Sequence, residues 1–198
     1  KKPELKNEQQ VKEIIEEIKN SECVVAEIKE TEKTIRPKAP FTTSKLQQAA
    51  ANRLGFTSKK TMQIAQQLYE GINIGSNRVG LITYMRTDST RISQTPLDDV
   101  RKWIGEKHPE ELPAEPIEYS VGKKAQDAHE AIRPTYTTYT PDYVKDYLSR
   151  DQLRLYSIIW ERFVSSQMNN AKTKTTSVDI KAGDAIFRVS GSKLIEKG

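Results

Sequence analysis

The densest run of polar chemistry in the chain is GLITYMRTDSTRIS, Gly80 to Ser93. An apolar stretch ends in Tyr84 and passes at once into Arg86, Thr87, Asp88, Ser89, Thr90 and Arg91, which sets a phenol at the rim of a rigid element among hydrogen-bonding groups. A tyrosine hydroxyl, with a pKa of about 10, attacks poorly at neutral pH. A neighbouring cation changes that by stabilising the phenolate or the charge on the group attacked. Arg86 lies two residues from Tyr84, and on an extended chain this spacing returns it to the same face. Its planar guanidinium matches the oxygens of a phosphate two at a time, which a lysine ammonium does not. The same residues also fit a plainer arrangement, in which Tyr84 closes a core strand with its hydroxyl bonded locally and Arg86 and Asp88 form a surface ion pair. Asp88 either orients Arg86 or ends a turn.

Elsewhere reactive side chains are sparse. The 198 residues include one cysteine, Cys23, and two histidines, His108 and His129, too few for an intrachain disulfide or a four-ligand zinc site. His108 lies in a charged EKHPEE loop and is expected in solvent. The charged fraction of 30% and mean hydropathy of -0.71 describe a soluble globular chain. No apolar run reaches the roughly 18 residues of a membrane-spanning helix, and residues 1 to 30 lack the layout of a signal peptide, so a cytosolic location without a membrane partner is expected. A net charge of +5 permits a polyanionic partner without demanding one.

The elements that must position these residues follow from periodicity. Val11, Ile14, Ile15 and Ile18 fall at helical spacing between Asn7 and Asn20. Cys23 to Arg36 alternates charge among β-branched residues and reads as one extended strand, broken by Pro37 and Pro40. The tail, Thr173 to Ile195, is β-rich in two pieces around Ala-Gly-Asp, so the two ends of the chain are expected to pair into a small β-containing domain, residues 1–38 and 171–198. The insertion, 39–170, is mostly helical. Thr43 or Ser44 is expected to cap a helix ending at Gly55, and Thr57 or Ser58 a second one ending at Gly71, with the outline of a helix-turn-helix or of an ordinary αα-hairpin. GINIGSN reads as a loop and RVGLITY as a buried strand. A helix with Pro96 at its first position and Thr95 as cap follows, then a proline-rich loop, and a long helix from Asp151 to Met168. The fold class expected is α+β.

GLITYMRTDSTRIS resembles the active-site signature of the type IA DNA topoisomerases. Met85 after the tyrosine is closer to the bacterial topoisomerase I branch of that family than to the topoisomerase III branch. PFTTSKLQQAA (Pro40 to Ala50) with the NRLGFTSKKTMQIAQQLYE that follows is similar to the family's stretch ahead of the tyrosine, and AQDAHEAIRP (Ala125 to Pro134) to its histidine-containing motif after it. Order and spacing agree over about Ile35 to Ala171. The resemblance implies that Tyr84 cleaves one DNA strand through a 5'-phosphotyrosyl link, releasing a 3'-hydroxyl, and that Arg86 holds the scissile phosphate. It sets His129 near the same site, bonded to the DNA backbone or to Asp88, and makes Thr87 and Arg133 candidate DNA contacts. Arg133 also fits a buried ion pair. The helical insertion becomes a nucleophile domain between the strands of an arch-like domain.

The family's chemistry also uses Mg2+ held by clustered acids in a Toprim domain. No such cluster occurs here; Asp98 and Asp99 lie on an expected helix. The chain therefore resembles a central fragment, inactive alone, whose partners are single-stranded segments of negatively supercoiled, nucleoid DNA and the Toprim and gate domains of the same polypeptide. Relaxation without ATP is implied for the complete enzyme. The competing reading is a non-catalytic winged-helix or helix-turn-helix DNA-binding module in which Tyr84 only stacks or packs. Two histidines are too few for a relaxase metal site.

Overall fold

The structure, a computed structural model, describes residues 5, 7–119 and 129–198. In chain order its elements are α1 (Glu8–Lys19), β1 (Cys23–Ile35), α2 (Thr43–Leu54), α3 (Ser58–Glu70), β2 (Ile72–Ile74), β3 (Asn77–Val79), α4 (Gln94–Lys107), α5 (Pro141–Val144), α6 (Arg150–Ser165), β4 (Ala171–Ala182) and β5 (Ala185–Glu196). The fold is α+β. It divides into two units, Lys1–Ile35 with Ala171–Lys197, and Arg36–Asn170. Among the described residues no helix is long and apolar enough to cross a membrane.

In the first unit β4 is the central strand of an antiparallel sheet ordered β1-β4-β5. Ala182 pairs with Ala185, which leaves Gly183 and Asp184 as the turn. Gly183 has φ of +61°, and a Cβ there would collide with the Glu17 carboxylate, which accepts from the Asp184 amide at 2.6 Å. The sheet is laced by cross-strand pairs: Lys174 to Glu30 at 2.7 Å, Lys172 to Glu196 at 2.9 Å, and Arg188 to both oxygens of Asp179 at 2.6 Å. Every residue of β1 is exposed. α1 starts behind Asn7, whose side chain accepts from the Gln10 amide.

The second unit has an apolar core. α2, α3 and α6 pack Leu46, Ala50, Ile64, Leu68, Leu155 and Ile159 together with Phe56, Leu81 and Met85. Val100 and Ile104 of α4 meet Phe163 and Val164 of α6 in a neighbouring cluster, and Trp103 meets Trp160 edge to face at 5.0 Å. Several helix boundaries fall earlier than their sequence suggests. Thr42 rather than Thr43 or Ser44 caps α2, because Thr43 is engaged elsewhere, and Thr57, the earlier of two expected residues, caps α3. α4 starts behind Ser93 rather than Thr95, so Pro96 is its third residue. α6 starts at Arg150 in a capping box between Ser149 and Gln152 and ends at Ser165, short of Met168. Gly55, with φ of +72°, ends α2 and leaves Phe56 and Thr57 to complete the tight turn into α3.

The expected strand over RVGLITY is a correction. Arg78 and Val79 belong to a short hairpin in which β3 pairs with β2 around Gly75, so the expected GINIGSN loop is largely strand. Leu81 to Tyr84 instead runs against residues 131–135. The Thr83 amide donates to the Arg133 carbonyl at 3.0 Å, the Thr135 amide to Leu81 at 3.0 Å, and the Ile132 amide to Phe41 at 2.8 Å. An apolar run shows that a segment is buried but not which partner receives its hydrogen bonds.

Candidate active site

Gly80 brings the tyrosine segment against the end of α3. A Cβ at Gly80 would stand 2.7 Å from the Tyr69 carbonyl oxygen, so only glycine allows this approach, and the Leu81 amide donates to Leu68 at 2.8 Å. From Tyr84 the chain alternates strictly. Tyr84, Arg86 and Asp88 are exposed, while Met85, Thr87 and Ser89 point inward. The first residue of α2 clamps this edge. The Thr43 hydroxyl donates to the Met85 carbonyl at 2.7 Å and accepts from the Thr87 amide at 2.9 Å, and the Thr43 amide donates to the Thr87 carbonyl at 2.9 Å. Thr87 Oγ1 accepts from the Ser89 amide and Ser89 Oγ from the Arg91 amide, which carries the chain toward α4 as a staircase of side-chain bonds.

Tyr84 is 41% exposed. Its ring meets Tyr69 edge on, with centroids 5.4 Å apart, and His129 at 6.3 Å. Among the described residues no hydrogen bond engages its hydroxyl. Tyr119 and Tyr156 differ: the first donates to Ser166 at 2.8 Å and the second to Tyr139 at 2.6 Å. Burial pushes Tyr119 up to about 12, with Arg162 pulling the other way, and pushes Tyr156 further still. Those phenols are committed to structure, whereas that of Tyr84 is presented.

Arg86 opens onto a groove of about 1000 Å3 along α3, where Lys59, Gln63 and Gln67 also line the wall. Among the described residues nothing pairs Arg86 with Asp88 or Asp88 with His129, so the surface ion pair and the His129–Asp88 bond are both absent. Two residues expected as DNA contacts are turned inward, and for Arg133 it is the alternative of a buried ion pair that the structure contains. Thr87 is 8% exposed and its hydroxyl is spent on Ser89. Arg133 is 8% exposed and is ion-paired with Glu130, and its Nη1 donates to the Pro134 carbonyl at 3.0 Å. Burial pushes the Glu130 carboxyl up, but the Ser93 hydroxyl, the Arg133 guanidinium and the Ser93 amide at 2.8 Å outweigh it and hold the group below the ordinary glutamate range. The pair therefore ties residues 130–133 to the start of α4. His108 lies at the surface and bonds Glu111 at 3.0 Å. Of the AQDAHEAIRP motif, residues 125–128 lie outside the described residues.

Sequence reasoning missed Tyr69 and Thr43. Tyr69 had no signal, since it follows Met62 and Ala65 at helical spacing and reads as one more residue of the apolar stripe of its helix. Thr43 had none, since its role depends on a chain segment more than forty residues away.

A family model described as DNA topoisomerase matches residues 1–198. The chain belongs to the DNA topoisomerase family, in its bacterial type IA branch. It is 53% identical over 198 residues to DNA topoisomerase 1 of Treponema pallidum (strain Nichols), a match that covers 100% of this chain and 27% of the relative. The solved structure of full-length topoisomerase I from Thermotoga maritima is similar with a TM-score of 0.75 and 40% identity, over 100% of this chain and 31% of that one. The chain thus spans under a third of the length of these topoisomerases.

Proposed function

We propose that Tyr84 is the nucleophile that breaks and rejoins one DNA strand. One observation carries the reading: in a segment otherwise locked to α2 and to residues 131–135, the Tyr84 phenol is left exposed and, among the described residues, unbonded, beside His129 and on the same edge as the equally unpaired Arg86. The Tyr84 Oη loses its proton and bonds to the scissile phosphorus. The bond from phosphorus to the 3' oxygen breaks, and that oxygen leaves as a 3'-hydroxyl, taking up one proton. The phosphodiester charge is conserved and a 5'-phosphotyrosyl bond replaces the bond broken, so the reverse attack reseals the strand without ATP. Arg86 binds the non-bridging oxygens as charge builds on them. His129 flanks the ring and holds the strand or the phenol in position.

The Mg2+ that the family resemblance implies does not fit the residues present. Among those described no three His, Cys, Asp or Glu side chains converge on one point, and Asp88 stands alone. Acidic residues elsewhere in a longer polypeptide would have to hold it, and no step of the transesterification as written depends on it. Within that polypeptide, together with its gate-forming domains, the chain acts on single-stranded segments of negatively supercoiled DNA in the bacterial cytoplasm.

Detergent quenching of the complete polypeptide on DNA, followed by proteolysis and mass analysis, is expected to find the nucleotide on the Tyr84 peptide. Tyr84→Phe should abolish the adduct and leave DNA binding intact. An adduct on Tyr69, Ser89 or Thr90, or strand relaxation by the Phe variant, overturns the assignment of Tyr84, whereas DNA binding with no adduct on any residue favours a non-catalytic module in which Tyr84 only packs.

A further inference from the structure

We propose that a second groove in the helical unit, between α2 and α6, is a track for the phosphate backbone of a single nucleic-acid strand. It has a volume of about 680 Å3 and is lined by four cations, Lys38, Lys45, Arg53 and Arg162, against one carboxylate, Glu161. It shares no lining residue with the groove at Arg86.

The one carboxylate is already used, since Arg53 Nη2 lies 3.1 Å from Glu161 Oε2. Arg162 donates Nε to the Ala39 carbonyl at 2.7 Å, and its guanidinium lies 4.9 Å above the Phe41 ring, so it is fixed in position. No carboxylate among the described residues pairs with it. Burial lowers its hold on the proton, Tyr119 opposes that shift and the like charge of Arg53 adds to it, as for a cation whose surroundings lack an anion. Lys38 and Lys45 are exposed and have no ion-pair partner among the described residues. A fixed guanidinium and two free ammonium groups thus line one concavity with their charge unanswered, which raises the local concentration of anions.

The neutral residues of the lining decide which anion. Gln48 and Asn52 lie one turn apart on the exposed face of α2, on the same side as Lys45. An isolated phosphate would engage the cations and the amide N–H donors but leave the amide carbonyl oxygens of Gln48 and Asn52 without a donor. A nucleic-acid strand engages both, its phosphates meeting the cations and its base edges the amide donors and acceptors. A single strand leaves its base edges unpaired and able to reach these amides.

The groove's residues are separate from Tyr84, and the 198-residue chain is enough to test them. With excess oligothymidylate present, Lys38 and Lys45 should be shielded several-fold from acetylation relative to Lys12 and Lys19 of α1. In fluorescence anisotropy, Lys38→Glu/Lys45→Glu should flatten the log–log salt dependence of oligothymidylate binding by about 1.4, at about 0.7 for each phosphate of a single strand that is no longer neutralised. Lys38→Arg/Lys45→Arg should retain the slope. Equal acetylation with and without the oligonucleotide overturns the proposal, as does an unchanged slope in the charge-reversed variant. Shielding by inorganic pyrophosphate equal to that by the oligonucleotide overturns the assignment to nucleic acid. Because footprinting is done on the unaltered chain, a variant that fails to fold does not remove the test.

Discussion

Tyr84 and Arg86 leave the same edge of an extended chain, and this alternation decides what each is free to do. Met85 and Thr87 are spent inward, on the core and on Thr43, which fixes the two outward residues without engaging either one. Arg86 reaches a groove rather than a carboxylate. A cation without an ion-pair partner among the described residues remains available for the substrate, whereas Arg133 is consumed by Glu130. Replacing Arg86 by Lys keeps the charge but loses the paired donors. Loss of one such donor to a transition-state oxyanion costs on the order of a hundredfold in rate, so Arg86→Lys in the complete polypeptide should slow cleavage by about that factor and leave the fold unchanged. Single-turnover cleavage beside a circular dichroism melt checks this. Wild-type cleavage would move Arg86 from the reaction to the groove wall.

At the scale of elements, the site is where three segments meet: the end of α3, the start of α2, and the pairing of residues 80–84 with 131–135. Helices α2, α3 and α6 were legible because Leu46 with Ala50, Ala65 with Leu68, and Tyr156 with Ile159 and Phe163 repeat at helical spacing, and the outer strands because β-branched residues alternate with charge. Tyr84 and Arg86 were legible as a pair for the same local reason, a period of two. Partners across the fold were not. Tyr69 meets Tyr84 only because Gly80 lets two backbones touch, and Arg133 is buried only because Glu130 turns back to it outside any helix. Gly80→Ala tests that dependence. Its Cβ would force the Tyr69 carbonyl away, an overpacking that typically costs about 1–3 kcal/mol, and the Tyr84 ring should lose its edge contact with Tyr69. The expected outcome is a lower melting temperature together with an adduct yield reduced by more than the unfolded fraction explains. A variant with normal stability and normal yield would show that the approach at Gly80 has no part in positioning the nucleophile.

On the scale of the whole chain, the two units owe their internal stability to different forces. Arg36–Asn170 encloses a core in which Leu46, Leu68, Leu155 and Ile159 are fully buried, and its backbone can open only by exposing them. The other unit has a three-stranded sheet whose outer strands leave Val25, Ile28, Ile186 and Val189 more than half exposed. Its cross-strand pairs Lys172–Glu196 and Lys174–Glu30 are solvent-facing, so salt screens them and each adds little, while Arg188 grips the less exposed Asp179 with two bonds. Hydrogen bonding along β4, which has a neighbour on both sides, is then the main constraint on that sheet. Local opening should follow the same order in the 198-residue chain. Amide hydrogen exchange read by mass spectrometry is expected to be fastest in β1 and β5, slower in β4, and slowest in α6 between Leu155 and Val164. Added salt should slightly speed exchange in β1 and β5 and leave Leu155 to Val164 of α6 unchanged, because the exposed Arg53–Glu161 pair on that helix is backed by a buried core whereas the pairs of the sheet are not. Uniformly slow exchange across all four elements would mean that the exposed apolar residues of the sheet are covered in solution, and the division into a core-stabilised and a ladder-stabilised unit would fail.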